Sequence, residues 1–416
     1  MHKFMCVLAA IILVSFVPKK MAQTKDGTQL TIEAAVNKAI KNNLGLQNSL
    51  KTIEVLKAVK TQSGLTPNPE LEFEAENILG NKDFRGFAGS ELTASISQNI
   101  LLAGKISKRE DIAEADILLA EWDYEQKRQS LITDIRKAFV KSLSTKNLIE
   151  KNSELAKISG ELILNLHERM KAGKISPAEV SRAQIIMNKL NLELIHLKAD
   201  YDDTIYKLSS LINDPNLSFS SLAGELRQIT EVPVYDSLQA KMENNPILQR
   251  YESELYKTKA IITYEESNAI PDLTITAGYK RLVDINANSF VIGASIPLPV
   301  FNQNQGSIQA AQIELDKKSI EFKSARNSLM LRLNLSYNRL RTLLNTAQKL
   351  KDESIPNAQN TFKIIKQGNQ VGRFTILDVL DAERTLIEVQ NQYLITLGEI
   401  NTAIVDIEGI IVEKIN

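Results

Sequence analysis

One stretch occurs twice in this chain of 416 residues, first as Gly173-Lys174-Ile175-Ser176-Pro177-Ala178-Glu179-Val180-Ser181-Arg182-Ala183 and 199 residues later as Gly372-Arg373-Phe374-Thr375-Ile376-Leu377-Asp378-Val379-Leu380-Asp381-Ala382. In each copy, a glycine that can end one helix precedes a Ser or Thr N-cap, and an acidic residue three positions later can complete a capping box. Pro177 stands at a first helical position, where its missing N–H is harmless. The pattern predicts the same sharp helical reversal twice, although any helical hairpin shares this local chemistry.

The repetition extends over nearly the whole chain. Two further motifs return 202 residues later: Asn42-Asn43-Leu44-Gly45-Leu46-Gln47 as Asn244-Asn245-Pro246-Ile247-Leu248-Gln249, and Pro69-Glu70-Leu71 as Pro271-Asp272-Leu273. A repeat this long favours one object built from two similar halves over two or three separate domains. We expect the halves at residues 23–229 and 230–416, each with a helix, a strand pair, a long helix, a tip turn and a helix.

The N-terminal residues 1–22 have the pattern of a secretory signal peptide. His2 and Lys3 precede an apolar run over residues 4–17, which is too short to cross a bilayer as a helix, and Ala22 is a candidate cleavage position. A buried N-terminal helix is the alternative, but the run lacks an amphipathic period. Cys6 is the only cysteine, so cleavage would leave no disulfide and no thiolate metal site.

Charge and composition exclude several classes of function. Fifty basic and fifty acidic residues give a formal net charge of zero, so no global field attracts nucleic acid. His167 and His196 are isolated on predicted helices, so we expect no metal site and no cofactor. No nucleophile and base pair or phosphate loop has a defined spacing, which makes an enzyme the least supported class.

Four segments alternate with the period of a β-strand, at residues 69–77, 91–101, 271–281 and 289–299. In the first, Leu71, Phe73 and Ala75 share one face, and the opposite face carries Glu70, Glu72, Glu74 and Glu76. Soluble hairpins packed on a core are the alternative. Each segment has about the 9 to 11 residues that a tilted strand needs to cross a bilayer, and with the signal peptide this favours membrane strands.

Four strands cannot close a barrel, and open strand edges are not tolerated in lipid, so several copies must share one barrel. A trimer would supply twelve strands, within the known range of about 8 to 26. The face with Glu70, Glu72, Glu74 and Glu76 would then line the lumen and favour cations.

The remaining chain is predicted to form long amphipathic helices over residues 30–63, 105–171, 176–212, 234–268, 306–370 and 375–412. At 1.5 Å per residue, each long helix spans about 100 Å, and the two shorter helices of the same half together span about the same length. This match predicts a helical wall of even height, whereas a coiled coil is the simpler alternative. Pro356 is expected to kink or break the second long helix.

The chain resembles the TolC family of outer-membrane efflux channels over essentially all of its mature length. The most specific match is Ile355-Pro356-Asn357-Ala358 followed by Gln367-Gly368-Asn369-Gln370-Val371-Gly372-Arg373-Phe374-Thr375-Ile376-Leu377-Asp378-Val379-Leu380-Asp381-Ala382-Glu383, which is similar to the family signature at the periplasmic turn. Residues 67–71, 98–105 and 295–306 resemble the outer-membrane partners of cobalt-, zinc- and cadmium-exporting RND pumps.

The resemblance implies a mainly α protein with a small β part. It implies a homotrimer in which a periplasmic α-barrel continues into a twelve-stranded β-barrel in the lipid of a Gram-negative outer membrane. It also implies two partners, a periplasmic adaptor protein and a proton-driven RND pump in the inner membrane. On this chain the adaptor would dock at Gly173, Lys174, Ser176, Glu179, Gly372, Arg373, Thr375 and Asp378. Lys174, Arg373, Asp378 and Asp381 are candidates for the closed aperture, although solvated tip charges would have the same pattern.

The function that follows from this resemblance is a passive exit duct, with divalent heavy-metal cations as the expected substrate. A multidrug or general small-molecule duct of the same family is the first alternative. A periplasmic coiled-coil adaptor or scaffold is the second, and it would share the helices and the signal peptide but would not need four bilayer-length strands.

Overall fold

The computed structural model describes residues 29–215, 221–229 and 231–415, so the predicted signal peptide lies outside the described residues. In the described part of the chain, no helix has both the length and the apolar content needed to cross a membrane. The strands are β1 (Gln29–Leu30), β2 (Glu70–Glu76), β3 (Glu91–Ile100), β4 (Ser221–Leu222), β5 (Leu273–Leu282) and β6 (Ala287–Ser295). The helices are α1 (Ile32–Asn42), α2 (Leu44–Ser63), α3 (Lys105–Lys171), α4 (Pro177–Ile212), α5 (Tyr235–Met242), α6 (Pro246–Asn268), α7 (Gln305–Lys349), α8 (Ile355–Gln370) and α9 (Ile376–Ile411).

The two predicted helices over residues 30–63 and 234–268 are each divided in two, so the prediction of continuous helices was wrong there. Asn43 ends α1 and caps α2, with its side-chain oxygen accepting from the Leu46 N–H at 2.9 Å. Asn245 caps α6 in the same way through the Ile247 N–H at 2.9 Å. An asparagine side chain competes with the helix backbone for these donors, which explains why the repeated Asn-Asn pair marks a helix boundary.

The helices pack as the length comparison predicted. The 67-residue helix α3 spans about 100 Å. On one side α3 contacts α2 and α1 and then, toward its C-terminal end, α4. On the other side it contacts α6 and α9, which in turn contact α7 and α8. One long helix thus lies between pairs of shorter helices arranged end to end, which confirms the predicted wall.

Pro356 disturbs the second long helix without interrupting it. A π-helical turn over Leu350–Ser354 joins α7 to α8, and the Ile355 N–H donates to the Leu350 carbonyl, five residues back. Proline lacks an N–H and its ring crowds the preceding turn, so one wider turn accommodates it. The expected kink or break therefore takes the form of a π-turn.

The four longer strands form one antiparallel sheet in the order β2-β3-β5-β6, in which the β3–β5 pair joins the two predicted hairpins. The register aligns apolar side chains into rows that cross all four strands, one through Leu71, Ile96, Ala277 and Ile292 and another through Phe73, Ala94, Tyr279 and Phe290. Phe73 is 75% exposed and Phe290 82% exposed, so this face does not pack on the helices of the chain. The alternative of hairpins packed on a soluble core is therefore excluded.

Near the first residues of α1 and the last residues of α4, the chain is joined by contacts that the sequence did not predict. β1 and β4 pair in parallel, a two-residue element missing from the predicted strands. Nearby, the carboxylate of Glu408 is fully buried and binds both Arg136 and Arg227; the distances from Arg227 are 2.9 and 3.0 Å. Arg136 lies on α3 and Arg227 on the segment after β4, both in the first half, whereas Glu408 lies on α9 in the second half. The cluster therefore links the two halves by ion pairs.

Candidate functional site

The two predicted tip turns have the same backbone conformation. Gly173 and Gly372 adopt φ values of 68° and 78°, the left-handed region that only glycine enters without strain. The residue after each glycine returns a bond to the preceding helix: the Lys174 N–H donates to the Arg169 carbonyl at 2.9 Å, and the Arg373 N–H donates to the Gly368 carbonyl at 2.8 Å. These bonds are those of a Schellman motif, and they close both helices at the same end of the molecule.

Both turns continue into the predicted capping boxes. The Ser176 N–H donates to the Glu179 carboxylate at 2.8 Å, and the Thr375 N–H and hydroxyl each donate to the Asp378 carboxylate at 2.7 Å. The hydrogen bonds from Thr375, chiefly from its side-chain hydroxyl and also from its backbone N–H, lower the pKa of Asp378. Asp378 is therefore held ionised by its own turn, and it serves the local fold whatever else it contacts.

A hydrogen bond that no local sequence pattern predicts joins the two turns. The Arg169 guanidinium on α3 donates to the Asn369 side-chain oxygen on α8 at 2.7 Å, and the Asn369 amide donates to the Phe374 carbonyl at 2.9 Å. Asn369 is buried. The predicted docking residues of the two halves are thus held next to one another by a polar contact between positions 200 residues apart.

Below the turns, an apolar cluster connects the four helices of the tip. Its buried members are Ile163, Leu166, Val180, Ala183, Ile376, Val379 and Leu380. One helical turn further along α9, Glu383 is 3% exposed and accepts a hydrogen bond from the Ser159 hydroxyl at 2.8 Å. Burial raises the pKa of this carboxyl group, and the hydrogen bond and the charge of Lys366 oppose the rise.

Apart from Asp378, the candidate aperture charges are Lys174, Arg373 and Asp381, and all three are exposed to solvent. Lys174 and Arg373 are exposed at the two turns. Asp381 accepts from Arg384, one turn along the same helix, at 2.6 Å, and both side chains are more than half exposed. The structure therefore places all four candidates at the tip, with Asp378 and Asp381 engaged within their own helix.

The acidic face of the sheet is partly neutralised by a lysine on β5. Glu70, Glu72, Glu74 and Glu76 lie opposite Ser97, Ser95, Thr93 and Glu91 of β3, on the face away from the apolar rows. From β5, the Lys280 ammonium binds Glu76 at 2.9 Å and Glu91 at 2.7 Å. The alternation of β5 placed Lys280 on the polar face, but only the register between strands brought it to these carboxylates.

No metal site is formed by the part of the chain that the structure describes. Within residues 29–215, 221–229 and 231–415, no three His, Cys, Asp or Glu side chains are grouped so that they could hold an ion. His167 is half-buried on α3 and His196 is exposed on α4.

Long antiparallel helices that end in a four-stranded sheet, with one exposed apolar face and one acidic face, define the class of outer-membrane channel proteins. The model of the family described as "Outer membrane efflux protein" matches residues 35–214 and 238–411. The chain belongs to this family. Members of the family are passive channels, which confirms the prediction that the protein is not an enzyme.

The relatives include metal-resistance proteins. The chain is 31% identical over 382 residues to the cobalt-zinc-cadmium resistance protein CzcC of Cupriavidus metallidurans, covering 92% of this chain and 90% of that protein. It is 24% identical over 276 residues to the nickel and cobalt resistance protein CnrC of the same organism, covering 63% of each.

Solved structures share the fold. A membrane protein from Pseudomonas aeruginosa superposes with a TM-score of 0.77 at 15% identity, covering 92% of this chain and 90% of that chain. The channel CusC superposes with a TM-score of 0.74 at 15% identity, covering 91% of each chain. The outer-membrane protein VceC of Vibrio cholerae gives 0.74 at 16% identity, covering 92% and 97%. These likenesses confirm the predicted TolC-like architecture.

Proposed function

We propose that the protein is the exit duct of a tripartite efflux system and conducts divalent heavy-metal cations passively to the exterior. The observation that carries the proposal is the 31% identity to CzcC along nearly the whole of both chains. Other family members, such as the TolC protein of Escherichia coli, are 20% identical. The metal-resistance branch is thus favoured over a multidrug duct.

The proposed duct is a homotrimer in the outer membrane that extends into the periplasm. The sheet has two edges, β2 and β6, that bond to no further strand among the described residues. Large exposed apolar side chains are frequent on the two lateral faces of the chain: Leu44, Val55, Ile185, Leu192 and Ile195 on α2 and α4, and Ile313, Ile320, Leu331, Leu335 and Ile364 on α7 and α8. Two different lateral faces make a heterologous interface, which closes into a ring of three when neighbouring copies are related by a rotation of one third of a turn.

The proposed partners are a periplasmic adaptor protein and an inner-membrane RND pump. The adaptor would meet the two tip turns, where Lys174, Arg373 and their neighbours are exposed beside the rigid Schellman and capping bonds. A rigid, paired surface suits docking because little conformational entropy is lost on binding. The pump would supply the energy for transport.

The acidic face of the sheet is proposed to line the lumen, with Glu72 and Glu74 as its open anionic side chains. A ring of carboxylates favours cations by Coulombic attraction and needs no ligand geometry. This is consistent with a duct that passes metal ions and holds none.

The test is a gene deletion followed by growth and by measurement of cell metal. Loss of the protein is expected to lower tolerance to zinc, cobalt and cadmium and to raise retained zinc after loading, and complementation should reverse both. Unchanged metal tolerance together with lost detergent tolerance would favour the multidrug duct. Fractionation provides the control for location: a heat-sensitive trimer in the outer membrane is expected, whereas a soluble periplasmic monomer would support the adaptor or scaffold.

A further inference from the structure

A segment of the second half lacks the strand partner that its counterpart in the first half has. β3 continues through residues 98–100, where it pairs only with β5. In the second half β6 ends at Ser295, and among the described residues none pairs with residues 296–301. This segment is strongly apolar and open to solvent: Leu298 is 80% exposed, Val300 68% and Phe301 92%.

The structure gives the correspondence between the halves residue by residue. Glu72 lies opposite Ser95 in the first hairpin, and Thr274 lies opposite Ser295 in the second. Adding 202 to the residue numbers of β2 therefore gives the equivalent positions of β5, and adding 200 to those of β3 gives the equivalent positions of β6. The helix that follows each hairpin agrees, because its N-cap is Gly104 in one half and Asn304 in the other, both left-handed with φ of 69° and 56°.

We infer that residues 295–301 form a strand by adding to the β2 edge of a neighbouring copy, in the register that β3 and β5 use within one chain. The inference rests on the proposed ring of copies and specifies how its barrel closes. Ser95 lies opposite Gly278 in the internal pair, so the same two shifts place Ser295 opposite Glu76 of the neighbouring copy. They also place Leu298 opposite Phe73, and Val300 opposite Leu71, of that copy.

Side-chain chemistry fits this register. Leu298 and Phe73, at 80% and 75% exposure, would cover each other, as would Val300 and Leu71, at 68% and 64%. These pairs extend the apolar rows of the sheet around the junction between copies. Shifting the register by one residue would place Leu298 against a glutamate, because strand side chains alternate between faces.

The two prolines of the segment also fit. In the internal pair the Val283 N–H donates to the carbonyl of Ser90, so the even-numbered residues of β3 bond toward β5. The equivalent residues, whose backbone groups would bond toward the neighbouring copy, are the even-numbered residues 296, 298 and 300. Pro297 and Pro299 are odd-numbered, so their backbone nitrogens would point away from that copy. No ladder donor is lost to proline. The Val300 N–H now donates to the Leu298 carbonyl at 2.9 Å, a local bond that strand pairing would replace.

The contacts at the helix-proximal end of the β3–β5 pair also have counterparts in the proposed junction. Asp272 accepts from the Leu102 N–H at 3.0 Å and from the Lys105 ammonium at 2.7 Å. The corresponding residues are Glu70 of the neighbouring copy, Asn302 and Gln305. A carboxylate again meets a backbone N–H, with a neutral amide in place of the lysine. Glu70 thus belongs to the junction between copies more than to the open lumen.

The test is disulfide crosslinking of the full-length protein in outer membranes. Ser295 and the neighbouring Glu76 would form a non-hydrogen-bonded pair, whose side chains approach closely enough for a disulfide. Under mild oxidation, the double variant Ser295→Cys with Glu76→Cys is expected to shift from monomer to covalent dimer and trimer. Matched controls are Ser295→Cys with Glu74→Cys, which is two residues out of register, and each single variant, which also controls for Cys6.

The outcomes separate the inference from the function it rests on. Crosslinking confined to the Ser295 and Glu76 pair supports the register. Preferential crosslinking of the Glu74 control overturns it, as does an uncrosslinked protein that is still a trimer by native mass. Neither result contradicts the proposed trimeric duct. A protein that is monomeric by native mass overturns both the register and the proposed trimer.

Discussion

Glu383 is a buried carboxyl group within the apolar packing of the tip. Ser159 on α3 donates to it, and Lys366 on α8 is the cation that acts on it. Burial disfavours the charged form and raises the pKa above that of an unfolded chain. The protonated carboxyl is therefore favoured in the folded state, so its contribution to stability is present at low pH and is lost as the pH rises through the folded pKa.

The substitution Glu383→Gln tests this dependence. Glutamine keeps an oxygen that accepts from Ser159 but never becomes charged, so the variant is expected to unfold at a higher temperature than the native protein at pH 8. The difference should shrink at pH 5. Thermal unfolding of the detergent-solubilised protein measures both, and Glu388→Gln, at an exposed site on the same helix, is the control. A constant difference between the two pH values would contradict the explanation.

At the scale of elements, each tip turn depends on a glycine with positive φ. Gly173, Gly372 and Gly160 all have open space where a Cβ would stand: apart from the adjacent residues and the backbone of the glycine's own helix, no atom lies within 4 Å. They differ in the backbone, because the first two adopt left-handed φ values and Gly160 lies within α3. Steric crowding of neighbours therefore cannot account for any difference between their alanine variants.

Gly173→Ala and Gly372→Ala are each expected to lower stability by about 1–2 kcal/mol, the cost of a left-handed conformation for a residue with a Cβ. Gly160→Ala should raise stability by roughly 0.5–1 kcal/mol, since alanine favours a helix interior. Hydrogen exchange at the tip, read by mass spectrometry, provides the measurement. Equal effects at all three positions would show that the turns do not require glycine.

At the scale of the whole molecule, Lys280 sets how negative the acidic face of the sheet is. It binds Glu76 and Glu91, so one of their two negative charges is compensated, while Glu72 and Glu74 on the same face remain open. If this face lines the conduction path, each copy contributes one positive charge that opposes the carboxylates.

Lys280→Gln is therefore expected to make the channel more selective for cations. The measurement is the reversal potential of the reconstituted protein in a planar bilayer under a KCl gradient, which should move toward the potassium equilibrium potential. Lys317→Gln is the matched control, because Lys317 forms an exposed pair with Glu314 on α7, away from the sheet. An unchanged reversal potential for Lys280→Gln would place the conduction path on another surface.

The sequence by itself determined the features that depend on neighbouring residues. The duplication, the strand alternation of Leu71 and Phe73 against the glutamates, the helix lengths and the two glycine turns each follow from a local period or a cap, and all appear in the structure. The breaks at Asn43 and Asn245 were missed although their repeated motif was visible, because an internal asparagine cap resembles a tolerated helix residue until its backbone partner is known.

Only the tertiary structure decided which distant side chains meet. Lys280 with Glu76, Arg169 with Asn369 and Arg136 with Glu408 join residues about 200 or more positions apart. No local period specifies such a pair, because a lysine or arginine on a polar face has many carboxylates and amides within possible reach. The strand register selects the partner of Lys280, the antiparallel packing of α3 on α9 selects that of Arg136, and the meeting of the ends of α3 and α8 at the tip selects that of Arg169.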